Sequence, residues 1–154
     1  MRVFRIEREK YLETTLKGIG AALSDGFRWN SRNTHLVYTS ESRALATLEV
    51  AVHLDISEDL PTDRYYVEID IPEDIIIFEL STDNLPDNWD SKPPIPATQY
   101  IGDDFVQQNI GAVLKVPSCI VFPEYNYLIN PYHPDAKKIK VTSTQRMSFD
   151  QRIR

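Results

Sequence analysis

The run Tyr65-Tyr66-Val67-Glu68-Ile69-Asp70-Ile71 alternates apolar and polar residues with period two until Pro72 stops it. That pattern specifies a β-strand with one wet face. Most other apolar residues come in equally short runs. Ile75 to Leu80 predicts a second strand, apolar on both sides at first and so expected to be central. Residues 2 to 6, Leu36 to Tyr38, Ala112 to Val116, Ile120 to Phe122 and Lys138 to Thr142 are also strand-like. Helical spacing is clear in one place, Ser42 to Leu54, where Leu45, Leu48 and Val52 recur with Ala44 and Ala51 beside them. Thr39 or Ser40 is expected to cap it, because a hydroxyl can accept from a free amide of the first turn. Thr98 to Asn109 predicts a further helix with Ile101 and Phe105 inward, despite Gly102. Residues 7 to 26 are mixed: Tyr11, Leu12, Thr15 and Leu16 suit a helix, and Gly18, Gly20 and Gly26 suit a loop. Residues 83 to 97 carry Pro86, Pro93, Pro94, Pro96 and Trp89 and predict a long ordered loop. Many strands with two or three helices in no regular alternation give an α+β class, not a doubly wound sheet.

Length and composition set the frame. A chain of 154 residues is most simply one domain with a real core. Its 42% hydrophobic and 26% charged content is ordinary for a globular chain. The net charge of -6 and pI near 5.0 argue against direct nucleic-acid binding, which favours a basic face. The basic cluster Arg146, Arg152 and Arg154 is confined to the tail. The single cysteine, Cys119, allows no intrachain disulfide and fits a reducing cytoplasm. No secretory leader is expected at Met1-Arg2-Val3-Phe4-Arg5. The longest apolar run, Ile75-Ile76-Ile77-Phe78, is strand-sized, so no membrane span is expected.

Several motifs fail on inspection. Gly18-Ile19-Gly20-Ala21-Ala22-Leu23 has Leu23 at the third glycine position of a dinucleotide fingerprint, and no βαβ unit surrounds it. His35, His53 and His133 lack close partners at metal-ligand spacing, so no metal site is expected. A Gly-x-Ser-x-Gly elbow is absent.

Residues 26 to 49 are richer. Arg28 lies between Phe27 and Trp29 and is either a guanidinium stacked on Trp29 or a fork for pyrophosphate oxygens. Glu49 falls on the margin of the Leu45, Leu48 and Val52 stripe. A carboxylate there is half-buried, which costs free energy unless it is paired or used. A salt bridge to Arg28 and a functional role weigh equally from position. Pro117-Ser118-Cys119 interrupts a strand; the residues alone favour a plain strand break, and a bulge that re-aims a side chain is the alternative. Asn126 to Pro131 mixes polar and apolar residues, with turn chemistry at Asn130-Pro131.

Taken in order, these pieces resemble the RES-domain toxins of bacterial toxin–antitoxin pairs. The resemblance rests on Phe4-Arg5-Ile6, Gly20-Ala21, Gly26-Phe27-Arg28-Trp29-Asn30, Val37-Tyr38-Thr39-Ser40 and Ala44-Leu45-Ala46-Thr47-Leu48-Glu49. It continues through Ala97-Thr98-Gln99, Gly102-Asp103, Leu114-Lys115-Val116-Pro117-Ser118, Asn126 to Pro131, His133-Pro134-Asp135 and Phe149-Asp150-Gln151-Arg152. It covers nearly the whole chain, so residues 1–154 are expected to form one RES domain. The resemblance implies an ADP-ribosyltransferase-like core of two small, mainly antiparallel sheets with peripheral helices. It implies breakdown of NAD at the nicotinamide glycosidic bond, with NAD as substrate and not as cofactor; some members modify a host protein instead. Arg28, Glu49 and Ser118 match the name-giving residues, and Tyr38 is a fourth catalytic position. Arg5 and Asn126 are further candidates for NAD contact. The implied partner is a helix-turn-helix antitoxin that blocks the site in a hetero-oligomeric complex and represses the operon. Phe27 stands where a second glycine is frequent and adds bulk beside Arg28. Asn33 stands where another glycine is frequent, and asparagine tolerates the left-handed backbone.

Overall fold

The computed structural model describes residues 1–55 and 58–153. Seven strands alternate irregularly with three α-helices: β1 (Arg2–Arg8), α1 (Ile19–Leu23), β2 (Val37–Ser40), α2 (Arg43–Ala51), β3 (Arg64–Asp70), β4 (Ile77–Glu79), α3 (Pro96–Gln107), β5 (Val113–Pro117), β6 (Tyr125–Ile129) and β7 (Lys140–Arg146). The α+β class follows directly. The strands form one sheet in the order β4-β5-β6-β2-β1-β3-β7 among the described residues. All neighbours are antiparallel except β4 and β5.

The two small sheets expected by resemblance are therefore joined. The join is narrow. Whereas β1 and β3 pair along seven positions, from Arg2↔Asp70 to Arg8↔Arg64, β1 and β2 meet at the single position Phe4↔Ser40. One four-stranded half and one three-stranded half thus share a seam.

Alternation sorts the side chains onto two faces. One face carries Val3, Val37, Val67, Ile69, Val113 and Ile129 in a single apolar cluster. The other carries two clusters. Trp29, Leu36, Leu114 and Leu128 pack with Phe105 of α3, and Ile6 packs with Ala46 of α2, Met147 and Phe149. Enclosing each of Leu36, Leu45, Leu128 and Ile129, all essentially without exposed surface, contributes about 1.5–3 kcal/mol. Between those two clusters lies the seam, and there the sheet shows polar residues.

Several expectations need correction. The cap of α2 is Ser42, whose hydroxyl accepts from Leu45 N at 3.0 Å. Thr39 and Ser40 still belong to β2, where Thr39 Oγ1 donates to Tyr127 O. The helix also buries a different stripe. Leu45 and Ala46 are buried and Val50 packs beside Ala46, while Leu48 and Val52 are 37% and 54% exposed. Glu49 therefore sits within the inward face, not on its margin. β4 is an edge strand, not a central one. Phe78 packs into one cluster and Ile77 against the other, so both faces are covered although one edge is open. Residues 120 to 122 turn instead of pairing, with Phe122 70% exposed. At Pro117 the strand simply breaks, as favoured above: Pro117 pairs in register with Tyr125 and ends β5 without a bulge, and the sheet's irregularity lies at Glu68/Ile69, between β3 and β7. The glycine-bearing stretch after Lys17 contains α1, entered through Gly18 at φ 66.

Pro96, assigned above to a loop, instead opens α3, where its fixed φ suits the first turn. Gly102 explains how closely that helix docks: a Cβ there would lie 1.6 Å from the carbonyl oxygen of Trp29. Only glycine permits this approach. No helix among the described residues is long and apolar enough to cross a membrane.

Candidate functional site

Ser40 and Asn126 are register partners across β2 and β6, and α2 packs over the same face. These strands, the helix and the end of β5 bring four polar side chains together. Ser40 Oγ donates to Asn126 Oδ1 at 2.7 Å. Asn126 Nδ2 donates to Glu49 Oε1 at 2.6 Å. Ser118 Oγ, just past the end of β5, donates to the same Oε1 at 2.9 Å. Ser118 is wholly enclosed and also accepts from Ile120 N and Val121 N at 3.1 and 3.0 Å. Its acceptor capacity is thus filled, and its proton has one destination, the carboxylate. Both bonds from protein to Glu49 fall on one oxygen, which leaves Oε2 without a protein donor among the described residues. Glu49 is half-buried and makes no ion pair among those residues, so the salt bridge to Arg28 weighed above is not formed.

Arg28 lies in the loop before β2. Its Nη1 donates to the carbonyls of Trp89 and Ser91 at 2.7 and 3.0 Å. The guanidinium thereby ties the proline-rich 83–97 segment to the site instead of simply stacking on Trp29. Trp29 itself stacks on Trp89, with centroids 6.2 Å apart. The loop holding Arg28 is fastened to α3 at three positions. Gln99 Nε2 donates to Phe27 O at 3.0 Å, Gly102 lies against Trp29, and Asp103 accepts from Ser31 N at 2.9 Å and from Ser31 Oγ. Gly26 sits at φ 117, where an added Cβ would meet Gln99 Nε2 at 2.6 Å. Asn33, at φ 72, adopts the left-handed backbone expected of it.

Tyr38 links the two parts. Its hydroxyl donates to Asn30 Oδ1 at 2.6 Å and accepts from Trp29 N at 3.3 Å. Its ring meets Phe27 edge-on, with centroids 5.4 Å apart. Burial pushes the phenol strongly up, so it stays protonated and serves as a donor. With its hydroxyl committed, Tyr38 has only its ring to offer a ligand.

Arg5 stands apart. Alternation along β1 puts it on the face of Val3, opposite Phe4 and Ile6, and hence opposite Ser40 and Asn126. Its guanidinium donates to Thr15 O at 3.1 Å and pairs with Glu7 at 3.1 Å. Burial lowers its pKa, partly offset by Glu7. The geometry therefore separates Arg5 from Glu49, Ser118 and Asn126, which are bonded to one another, and from Tyr38, which shares β2 with Ser40 and carries the Arg28 loop on its hydroxyl and ring.

Three contributors were not predicted from the sequence as members of the site: Ser40, Asn30 and Asp103. Ser40 was assigned to capping, although its place opposite Asn126 becomes evident once β6 is recognised as a strand. Among the described residues no group of three or more His, Cys, Asp or Glu side chains is placed to hold a metal. A hollow of about 690 Å³ lies elsewhere, lined by Leu60, Thr62, Arg146 and Phe149 among others, and shares no residue with this cluster.

Comparison with known proteins places the chain among toxins. A toxin named Prs ADP-ribosylating toxin, from Sphingobium sp. (strain YBL2), is 43% identical over 145 residues, covering 93% of this chain and 89% of that one. Toxin Res from Photorhabdus laumondii is 37% identical over 97% of this chain and 93% of its own. In fold, the chain is similar to a structure described as the M. tuberculosis MbcT-MbcA toxin-antitoxin complex, with a TM-score of 0.75 at 14% identity, covering 96% of this chain and 84% of that chain. The RES domain family model matches residues 2–150, and the chain belongs to that family.

Proposed function

We propose that this RES-domain protein is the toxin of a toxin–antitoxin pair and that it destroys NAD by cleaving the bond between nicotinamide and ribose, with water or phosphate as acceptor. The observation that carries the reading is the Glu49 carboxylate, half-buried, with both protein donors on Oε1. A charge held this way is oriented before any ligand arrives. Breaking the glycosidic bond sends its electron pair to nicotinamide and builds positive charge at the anomeric carbon. A fixed carboxylate facing that carbon stabilises the charge without reorganising, usually the largest single contribution to such catalysis. Oε2 accepts from the ribose hydroxyls. The Tyr38 ring stacks on the nicotinamide or its ribose, and Arg28 meets the pyrophosphate. Ser118 and Asn126 act on Glu49. The acceptor oxygen then bonds to the anomeric carbon and, with water, loses a proton. NAD is consumed as a substrate and no separate cofactor is needed. The work is cytoplasmic, where the NAD pool lies.

The name of the 43% identical relative favours a second reading, transfer of ADP-ribose to a host protein with the same residues. One experiment separates the two. The protein is incubated with NAD alone and then with lysate, and the products are identified by mass spectrometry. Free ADP-ribose or its phosphate with no other protein present supports NAD breakdown. Label appearing only on a protein supports transfer, and no NAD loss in either mixture sinks both.

The acidic chain also calls for a partner to reach DNA. The proposed antitoxin supplies the helix-turn-helix and lays a segment over Arg28 and Glu49. A gel shift with toxin, antitoxin and both, run beside NAD turnover, tests this. Specific DNA binding by the toxin alone, or undiminished turnover in the complex, would refute it.

A further inference from the structure

Ser40 is 4% exposed, and its hydroxyl bonds to Asn126, the partner of Glu49. We propose that Ser40 is a positioning residue that sets which end of the Asn126 amide faces Glu49, an inference that rests on the reading of Glu49 as the charge-stabilising group. An asparagine amide is nearly symmetric in shape but opposite in chemistry at its two ends. One end only accepts, and the other only donates. Turned one way, Asn126 gives Glu49 a charge-assisted hydrogen bond; turned the other, it sets a carbonyl oxygen against a carboxylate. The Ser40 hydroxyl, donating to Oδ1 at 2.7 Å, selects the first state, with Nδ2 at 2.6 Å from Oε1.

The neighbouring groups make the selection matter. Ser118 already delivers its single proton to Oε1. With Asn126 correctly turned, Oε1 holds two donors and Oε2 is the oxygen left for substrate. With Asn126 reversed, Glu49 keeps one donor and is free to swing. Ser40 is also the residue at which β2 meets β1, opposite Phe4. Backbone pairing to Phe4 on one side and Asn126 on the other holds Ser40 in place.

The test uses the full chain with Ser40→Ala and Ser40→Thr. Steady-state NAD turnover, thermal unfolding and the side-chain amide resonances of Asn126, assigned by their loss in Asn126→Asp, are measured for each. For Ser40→Ala, kcat should fall on the order of tenfold while KM stays within about twofold, because the lost interaction acts in the transition state. The Asn126 amide protons should resonate away from the ordinary pair of shifts of an exposed asparagine and exchange slowly with solvent in the wild type, and should move toward that pair and exchange faster in Ser40→Ala. Ser40→Thr, which keeps the hydroxyl, should restore both properties. Turnover by Ser40→Ala within about twofold of wild type, with unchanged amide resonances, overturns the proposal, and so does a failure of threonine to rescue. If Ser40→Ala does not fold, the wild-type amide decides: the ordinary shifts and fast solvent exchange of an exposed asparagine overturn it. A wild type that consumes no NAD would remove the catalytic reading of Glu49, whereas the amide resonances would still report on Ser40.

Discussion

Arg28 and Glu49 are the two charges assigned to the ligand in the candidate site, and the fold holds them in opposite ways. Glu49 is gripped by Ser118, just past β5, and by Asn126 of β6, and its second oxygen has no protein donor among the described residues. Arg28 does the gripping. Its Nη1 is taken up by two backbone carbonyls of a loop about sixty residues away. The carboxylate is therefore preorganised by the sheet, and the guanidinium is itself an organiser of the proline-rich segment. A charge of the first kind can be removed with little harm to the fold. A charge of the second kind cannot.

That difference sets the size of three expected effects. The largest is for Glu49→Gln, which keeps the shape and removes the charge. We predict at least about a hundredfold loss of NAD turnover, with an unfolding temperature close to wild type. Near-full activity would refute the electrostatic role, and unfolding would make Glu49 a structural residue. Arg28→Ala should show the reverse emphasis. Losing two charge-assisted bonds costs about 2 kcal/mol for a partly exposed group, or roughly 4–8 °C for a chain of this size. Limited proteolysis should then find new cuts in residues 83–97, and NAD titration should show weaker binding. Lysine should rescue little, since it lacks the planar fork. Full rescue would mean that charge alone matters.

Ser118→Ala sharpens the comparison from inside the Glu49 cluster. It leaves the amides of Ile120 and Val121 without an acceptor and Glu49 with one donor. We expect turnover to fall about tenfold and stability to drop by about 1–3 kcal/mol, read by urea unfolding. Unchanged turnover would show that Asn126 alone holds the carboxylate. The smallest effect is for Tyr38→Phe, which keeps the ring and deletes the hydroxyl shared by Asn30 and Trp29. A loss of about 1 kcal/mol, or roughly 2–4 °C, is expected, with a smaller fall in turnover than for Ser118→Ala. A larger fall would give the hydroxyl a part in the chemistry.

The strands with one wet face were readable from the sequence because alternation survives there, as in Tyr65 to Asp70. β6 was not, because Tyr127, Leu128 and Ile129 are all buried and only Asn126 breaks the run for the site. The helix over 43–51 was legible, but its inward stripe was not. Spacing alone favoured Leu48 and Val52 over Ala46 and Val50, and bulk misled where the helix packs close. Glu49 was nonetheless recognised as half-buried. The partners of Arg28 had no local signature, since Trp89 and Ser91 reach it only through tertiary folding. The family resemblance supplied Ser118 and Asn126 as functional candidates, whereas geometry shows what each one touches.

The seam at Phe4↔Ser40 has a consequence for how the molecule breathes. Seven ladder positions bind β1 to β3, but one binds β1 to β2, so cooperative opening should respect that boundary. Amide hydrogens of the three-stranded half and of the four-stranded half would then become exchangeable as two separate groups. Glu49, carried on a helix over one half and bonded to residues of the other, spans the line along which they part.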